Sequence, residues 1–340
     1  MDNLLNRRRF LACGAGAVVA QGAQAYQAQT REAKPYKVDV HHHFLPPRHL
    51  ERILALRESG RPPQWSAEMS LDQMDRNGVA TAVVSIVQPG IWFGNNDEAR
   101  GLARMCNEYG TQMAKDHPGR FGLFAALPLP DIEGSLREIE YAFDTLHVDG
   151  IGLLTQHDGK YLGDPAFAPV LDELNRRKAV VYVHPTQPNC CMGLVKGVTV
   201  STIEYATDST RTIASVLFSG TAARCPDIRF IFSHGGGTLP FLIGRFERLA
   251  AERKDSFLPH GAGPELRKFY YEVAQANHAG ALAALLEIAP LSNVLYGSDY
   301  PFRPVSEVTE GVDKYHFTGP QRRAIERENA VRIMPRLARI

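Results

Sequence analysis

The sequence predicts one (β/α)8 barrel of the α/β class, and three observations lead to this prediction. First, 340 residues suffice for one barrel domain, which typically takes about 250 residues. Second, short apolar runs rich in β-branched residues alternate with longer amphipathic stretches after Pro35, a pattern typical of repeated βα units. Third, there are eight such runs, the number of strands that closes this barrel.

The strand predictions follow the apolar runs, each of which ends at a turn or polar residue. They cover Lys37–His43, Ala80–Gln88, Phe121–Pro128, Val148–Thr155, Ala179–Pro185, Ile228–His234, Lys268–Ala274 and Asn293–Asp299.

The intervening helices are predicted from amphipathic spacing and from start and stop residues. Ser70 is the predicted N-cap of the first, which ends at Asn77-Gly78. Proline at position 118 ends the second, because it cannot continue a helix. The remaining predicted helices lie between the other strands or after the last one. The predicted spans after the first helix are Asn96–Asp116, Asp131–Leu146, Ala166–Arg177 and Gln321–Met334.

The amino-terminal 25 residues differ in composition from the rest. Arg7-Arg8-Arg9 precedes an apolar stretch, Phe10–Ala20, and Ala23-Gln24-Ala25 offers a small-x-small cleavage site. This resembles a twin-arginine export signal, so we predict a signal peptide over 1–25 and a barrel over 26–340. The apolar stretch is too short to anchor the chain in a membrane. The prediction is export to the periplasm, or a cytoplasmic location if the signal does not function.

Charge and cysteine content exclude several classes of protein. A net charge of +1 argues against a nucleic acid as the partner. Five cysteines without regular spacing predict no disulfide framework. The adjacent Cys190 and Cys191 are interpreted as loop packing, with a soft-metal site as the alternative. Glu204 and Asp208 are predicted to be solvated, and His157 to be a loop residue.

Histidines and an aspartate end several predicted strands. His41 and His43 project to one face of the first strand, about 6.5–7 Å apart, whereas His42 points away and is predicted to be a structural hydrogen bonder. His184 ends the fifth strand, His234 the sixth and Asp299 the eighth. Active sites of these barrels lie at the carboxyl ends of the strands. Imidazole and carboxylate ligands predict a zinc site, with manganese or iron as competitors.

With its flanking motifs, this set resembles the decarboxylase branch of the amidohydrolase superfamily, which includes aminocarboxymuconate semialdehyde and γ-resorcylate decarboxylases. The resemblance spans roughly residues 36 to 335 and is greatest to 6-methylsalicylate decarboxylase-like proteins. The strings that carry it are Phe44-Leu45-Pro46-Pro47, Trp92-Phe93-Gly94, Gly150-Ile151-Gly152-Leu153-Leu154-Thr155, Ser233-His234-Gly235-Gly236-Gly237, Leu239-Pro240-Phe241 and Gly297-Ser298-Asp299-Tyr300-Pro301.

The resemblance implies roles for individual residues. It assigns one zinc or manganese ion to His41, His43, His184 and Asp299, and gives His234 a catalytic or supporting role. It also implies a homodimer in which Arg245 meets the substrate carboxylate, with a helix-surface salt bridge as the alternative. Related enzymes with two metals carry a carbamylated lysine on the fourth strand. Here that strand offers Ile151, Leu153 and Leu154, with no lysine before Lys160, so a single ion is predicted.

The predicted reaction is the decarboxylation of an aromatic 2-hydroxy acid such as 6-methylsalicylate, which releases CO2 and a phenol. Asp299 would protonate the ring carbon, which requires either a dry site that raises its pKa or a proton brought by the substrate. Trp92 and Phe93, after the second strand, would stack on the substrate ring or form a hydrophobic lid. Which ring substituents are accepted stays open at this point.

Two other functions stay open from the sequence. A hydrolase of a lactone, ester or amide would use the same ligands to activate water, with Asp299 as the base. A non-catalytic scaffold would need none of these five polar residues at the barrel mouth. The predicted partners are therefore a small aromatic carboxylic acid and a second copy of the chain, with no nucleic acid and no stable membrane attachment.

Overall fold

The computed structural model describes residues 36–56 and 62–339. The predicted signal peptide at 1–25, including Cys13, lies outside the described residues. No helix in the described part of the chain is long and apolar enough to cross a bilayer.

Eight parallel strands form one sheet in sequential order. The sheet closes through its first and last strands, since the backbone N–H of Val40 donates to the carbonyl of Tyr296 at 3.0 Å and that of His43 to the carbonyl of Tyr300 at 2.7 Å. The predicted barrel and its eight strands are confirmed. The strands are β1 (Lys37–Phe44), β2 (Val79–Ile86), β3 (Phe121–Ala126), β4 (Gly150–Leu154), β5 (Val180–His184), β6 (Arg229–Phe232), β7 (Tyr270–Glu272) and β8 (Val294–Leu295).

Helices follow the strands and cover the outside of the sheet. The α-helices are α1 (Pro47–Leu54), α2 (Ala67–Arg76), α3 (Asn96–Asp116), α4 (Ile132–Glu140), α5 (Ala168–Arg176), α6 (Val200–Phe218), α7 (Thr221–Arg224), α8 (Leu239–Arg253), α9 (Gly263–Leu266), α10 (Ala279–Ile288), α11 (Val305–Lys314), α12 (Gly319–Arg323) and α13 (Asn329–Ile333). A π-helical turn, Tyr141–Leu146, extends α4, and another, Ala324–Glu328, joins α12 to α13. A two-stranded hairpin, Gln156–His157 with Lys160–Tyr161, follows β4.

The predicted cap of α2 is wrong. Ser66 is the N-cap, and its side chain accepts a hydrogen bond from the backbone N–H of Met69. Ser70 instead lies buried inside the helix, where its hydroxyl contacts His42 and the indole N–H of Trp65. A serine hydroxyl can cap a helix or join a buried network, and its neighbours in space decide which.

The interpretation of Cys190 and Cys191 as loop packing is wrong. These adjacent residues are joined by a disulfide, whereas Cys106 and Cys225 are free and buried.

The prediction that Asp208 is solvated is also wrong. Helix α6 places its carboxylate beneath the loops after β4, where it accepts hydrogen bonds from Thr155 and Tyr161.

The core has two layers. The barrel interior is filled by apolar side chains from alternate strand positions, including Val40, Val83, Phe124, Tyr182 and Ile231. A larger cluster packs between the outer faces of the strands and the helices. These layers fix the strands rigidly, so residues at the strand ends have defined positions.

Candidate metal centre

Four predicted ligands meet at the carboxyl end of the barrel. One ligand atom from each of His41, His43, His184 and Asp299 can be chosen so that all lie within 4.8 Å of one another. Oδ1 of Asp299 lies 3.1 Å from Nε2 of His41 and 3.2 Å from Nε2 of His43, and these two nitrogens are 3.0 Å apart. The chain therefore brings groups from three strands to one point.

Local structure explains how each group reaches this point. His41 and His43 share a face of β1 because strand side chains alternate. His184 ends β5, and its Nδ1–H donates to the carbonyl of Pro185 at 2.7 Å, which leaves Nε2 as the free ligand nitrogen. Asp299 follows β8 in a left-handed conformation, with φ of 64°. A residue other than glycine adopts this conformation at a cost, which indicates a functional constraint.

The donor set fits one transition-metal ion. Three imidazoles and one carboxylate match the ligands that zinc and manganese take in proteins. His41 and His43 are fully buried, and His184 and Asp299 nearly so. β4 contributes Ile151, Leu153 and Leu154, and Lys160 lies in the hairpin beyond it. Within the described residues no lysine therefore stands on β4 to bridge a second ion, which supports a single divalent metal.

The charged groups of the centre shift one another's pKa values. Burial alone would raise the pKa of Asp299, but His41, His234 and His43 outweigh it and hold that pKa well below its usual range. Burial would lower the pKa of His41, but Glu272 and Asp299 raise it to about 10. Burial and the neighbouring imidazoles lower the pKa of His184. Of the two predicted ways for Asp299 to carry a proton, this direction of the pKa shift favours a proton brought by the substrate.

Sequence analysis missed Glu272, the last residue of β7. This side chain is fully buried, and its Oε1 lies 2.8 Å from Nδ1 of His41. The backbone N–H of His234 donates to the same oxygen at 2.6 Å, and that of Ala274 to Oε2 at 2.6 Å. An acidic residue at the carboxyl end of a predicted strand was the available signal, because the same position on other strands carries the ligands.

His234 lies beside the four ligands rather than among them. Its Nε2 is 3.5 Å from Oδ2 of Asp299, and the amide of Gln275 donates to the same oxygen. His234 has φ of 54° and Gln275 φ of 53°, so both are placed by left-handed turns after their strands. Together they fix Oδ2 of Asp299, whereas His41 and His43 contact Oδ1.

His42 has the structural role predicted for it. Its Nδ1 contacts the carboxylate of Asp39 and its Nε2 the hydroxyl of Ser70, each at 3.0 Å. The same carboxylate accepts hydrogen bonds from the backbone N–H and hydroxyl of Ser298 at 2.9 and 2.6 Å. This network joins β1 to the segment that carries Asp299.

Two cavities open beside the centre, and His184 lines both. The larger, of about 360 Å³, also includes Asp299, Gln275, Tyr205 and Arg303. The smaller, of about 240 Å³, lies over the ends of β2, β3 and β4. Such a pair of neighbouring cavities suits a small organic ligand held at the centre.

The predicted substrate-binding residues lie in different places. Trp92 lines the smaller cavity. Phe93 lines neither cavity. The guanidinium of Arg52 packs over its ring, with Cζ 4.3 Å from the ring centre. Arg245 is exposed on α8, and among the described residues it forms no ion pair within this chain, so the structure does not bring it to the centre from the same subunit.

Comparisons with known proteins agree with this geometry. Residues 38–336 match a family model described as amidohydrolase. The chain is 38% identical to the decarboxylase YanB of Aspergillus niger over 88% of each chain. It is 34% identical to a 6-methylsalicylic acid decarboxylase of Penicillium expansum, over 88% of this chain and 97% of that one.

Solved structures show the same fold. A crystal structure of an amidohydrolase II superposes with a TM-score of 0.83 at 26% identity, covering 88% of this chain and 99% of that one. The 5-carboxyvanillate decarboxylase of Novosphingobium aromaticivorans, solved with manganese, superposes with a TM-score of 0.81 at 18% identity, covering 90% and 97%. The second likeness concerns the fold alone.

Proposed function

Because the chain belongs to the amidohydrolase family, we propose that it is a metal-dependent carboxy-lyase that decarboxylates an aromatic 2-hydroxy acid such as 6-methylsalicylate. The products are CO2 and a phenol. The observation that carries this proposal is the convergence of the four ligands in a chain whose relatives along most of its length are decarboxylases. A hydrolase uses similar ligands, but no feature of this centre favours it.

His41, His43, His184 and Asp299 would hold one divalent ion. The three imidazoles favour zinc, and manganese is the alternative, as in the 5-carboxyvanillate decarboxylase. When bound, the ion stabilises negative charge on the substrate oxygens and holds the ring still. Metal analysis of the protein purified from its host decides between the two ions.

Asp299 is the proton donor in this proposal. Its pKa is low because three imidazoles surround it, so its proton must arrive with the substrate. The phenol proton passes to the carboxylate of Asp299 and then to the ring carbon that bears the carboxylate. The carbon–carbon bond breaks, CO2 leaves without its bonding electron pair, and the phenolate takes a proton from water. His234 and Gln275 hold Oδ2 of Asp299 in place.

A cationic group is needed opposite the substrate carboxylate. Among the described residues, Arg303 is the only lysine or arginine that lines the cavity containing Asp299. Arg245 is exposed on α8, beside Phe241, a residue that is 78% exposed. An exposed arginine next to an exposed aromatic residue suits contact with a second copy. We include a homodimer in the proposal, in which Arg245, reaching the partner's site, is the alternative to Arg303 for binding the carboxylate.

Product analysis tests the proposal. Metal-loaded enzyme incubated with 6-methylsalicylate should release CO2 and 3-methylphenol in equal amounts, and chelation should stop both. An enzyme that leaves hydroxybenzoates intact but cleaves lactones, esters or amides would overturn it in favour of the hydrolase. An enzyme that carries no metal and shows no thermal shift on chelation would favour the scaffold.

The proposal extends to export. Residues 1–25 would direct the folded, metal-loaded enzyme through twin-arginine transport and then be removed, leaving the barrel of 26–340. Sequencing the amino terminus in the native host should give a start near Tyr26. A mature chain that still begins at Met1 or Asp2 would remove this part of the proposal.

A further inference from the structure

The smaller cavity is separate from the cavity that contains Asp299, and the two meet at His184. The reacting carbon must approach Asp299, so the reacting end of the ring belongs in the larger cavity. The smaller cavity, of about 240 Å³, then has no part in the chemistry. A methyl group fills about the 30 Å³ of a water molecule, so this space exceeds what 6-methylsalicylate needs.

Part of the inner wall of the smaller cavity is apolar. Leu127, Leu129, Leu153, Leu154 and Ile91 line it, and all five are buried. Polar side chains line the rest of the cavity. Asp158 and Asn189 are exposed at the rim, whereas Ser85, Tyr182 and Thr186 are buried. The leucine and isoleucine side chains in this part of the wall offer apolar contact to an alkyl group.

A glycine keeps the floor of this cavity open. Gly152 of β4 pairs with Ala126 of β3 and Tyr182 of β5, and all three line the cavity. A Cβ at Gly152 would lie 3.5 Å from Phe124 and 3.7 Å from Ser85, which is ordinary contact. The backbone therefore accepts a side chain here, and a larger one would occupy part of the cavity.

On the basis of the proposed function, we propose that the smaller cavity binds an alkyl group on the substrate ring, at the position beside the carboxyl-bearing carbon and away from the hydroxyl. A ring whose carboxyl-bearing carbon faces Asp299 would direct this position toward His184, the metal ligand that lines both cavities. The enzyme is then a decarboxylase of 6-alkylsalicylates whose chain extends beyond methyl. Each buried methylene contributes about fourfold to binding, from the transfer free energy of a CH2 group.

A homologous series tests this proposal. We would measure kcat/KM for salicylate and its 6-methyl, 6-ethyl and 6-propyl derivatives with metal-loaded enzyme, and for the 4-alkyl isomers as matched controls. In parallel, calorimetry would give the Kd of 3-methyl-, 3-ethyl- and 3-propylphenol. We expect kcat/KM and affinity to rise severalfold per carbon along the 6-alkyl and phenol series, with no such rise for the 4-alkyl isomers.

A variant that fills the smaller cavity tests whether this cavity causes the preference for 6-alkyl substrates. Gly152→Val should reduce the ratio of the 6-propyl to the unsubstituted kcat/KM at least tenfold, and Gly152→Ala should reduce it less. Gly101→Ala, on an exposed face of α3 with nothing near its Cβ, should keep the wild-type ratio.

The outcomes separate the two proposals. CO2 release without a preference for 6-alkyl chains, or a preference that Gly152→Val leaves intact, overturns the cavity assignment and keeps the decarboxylase. Tighter phenol binding with chain length that the Gly152 variants weaken, without CO2 release from any acid, supports the cavity assignment and removes the decarboxylase. If Gly152→Val does not fold, Gly152→Ala and the phenol series decide the matter.

Discussion

Glu272 Oε1 lies 2.8 Å from Nδ1 of His41, and both side chains are fully buried. The same oxygen accepts the backbone N–H of His234 at 2.6 Å. One carboxylate at the end of β7 therefore orients a metal ligand of β1 and the turn that carries His234 after β6. Such a partner fixes the ring and the protonated nitrogen of a ligating histidine.

We predict that Glu272→Gln lowers metal affinity by about 10- to 100-fold, because the amide is a weaker partner for the imidazole N–H. Competition with a chelator measures this affinity. Glu247→Gln is the matched control, since Glu247 also accepts two backbone N–H groups, from Ala262 and Gly263, but away from the centre. Equal metal affinity in the wild type and Glu272→Gln would contradict the role of Glu272.

Asp299→Asn tests the proton transfer. The variant keeps an oxygen that can accept the hydrogen bond from Gln275, so we expect it to fold with a similar melting curve. Its kcat should fall by about 10²- to 10⁴-fold, the usual contribution of a positioned general acid. Stopped-flow or steady-state CO2 assays at saturating metal separate this loss from weaker metal binding. Near-normal turnover would show that another group delivers the proton.

Most of the barrel could be predicted from the sequence, because apolar runs mark the strands and the residues that follow these runs mark the strand ends. Alternation along β1 placed His41 and His43 together and His42 apart, and the structure confirms both. β8 has only two regular residues, yet its position was predictable from the apolar run before Asp299. The fold and the meeting of these polar groups thus follow from local pattern and from the rule that parallel strands end at one face. The choice of His41, His43, His184 and Asp299 as the ligands came from the resemblance to the amidohydrolase superfamily.

Other features depend on contacts between distant segments. Asp208 sits on a polar stretch of α6 and would be solvated on an isolated helix, but Thr155 and Tyr161 cover it. Glu272 follows two tyrosines in a short strand, and only the closed barrel shows that it faces His41. The pKa of Asp299 depends on three imidazoles from other strands, so the sequence predicted its place but not its charge.

We predict that His49 causes part of the loss of unfolding free energy at acidic pH. It is fully buried, its Nε2–H donates to the carbonyl of Gly90 at 2.8 Å, and burial lowers its pKa from 6.5 to about 4. Between these values the unfolded chain binds the proton and the folded chain does not. The stability is therefore fully present above pH 6.5 and is lost as pH falls toward 4.

His49→Gln removes this titration and keeps a donor toward the carbonyl of Gly90. When the pH falls from 7 to 5, the wild type should lose about 2 kcal/mol more free energy of unfolding than the variant does. Urea unfolding at both pH values measures the change, and the other titrating groups cancel in the difference. Parallel pH curves for the two proteins would show that His49 does not carry the effect.

Variants of Arg303 and Arg245 show whether the substrate carboxylate is bound by the same chain or by the partner subunit. We expect Arg303→Ala to raise KM about 10- to 100-fold, the effect of losing one charged hydrogen bond, and Arg303→Lys to restore part of it. This effect should not depend on enzyme concentration. If only Arg245→Ala raises KM, and does so together with a change in oligomeric state measured by light scattering, the carboxylate is bound by the partner subunit instead.

Metal occupancy and CO2 release from one preparation give the decisive comparison. Apoenzyme titrated with zinc or manganese should release CO2 from 6-methylsalicylate in proportion to occupancy and reach its maximum at one ion per chain. His184→Ala should bind less metal and release less CO2, whereas the exposed His260→Ala should match the wild type. Undiminished CO2 release from metal-free enzyme, or full metal content in His184→Ala, would contradict a metal centre built from these four residues.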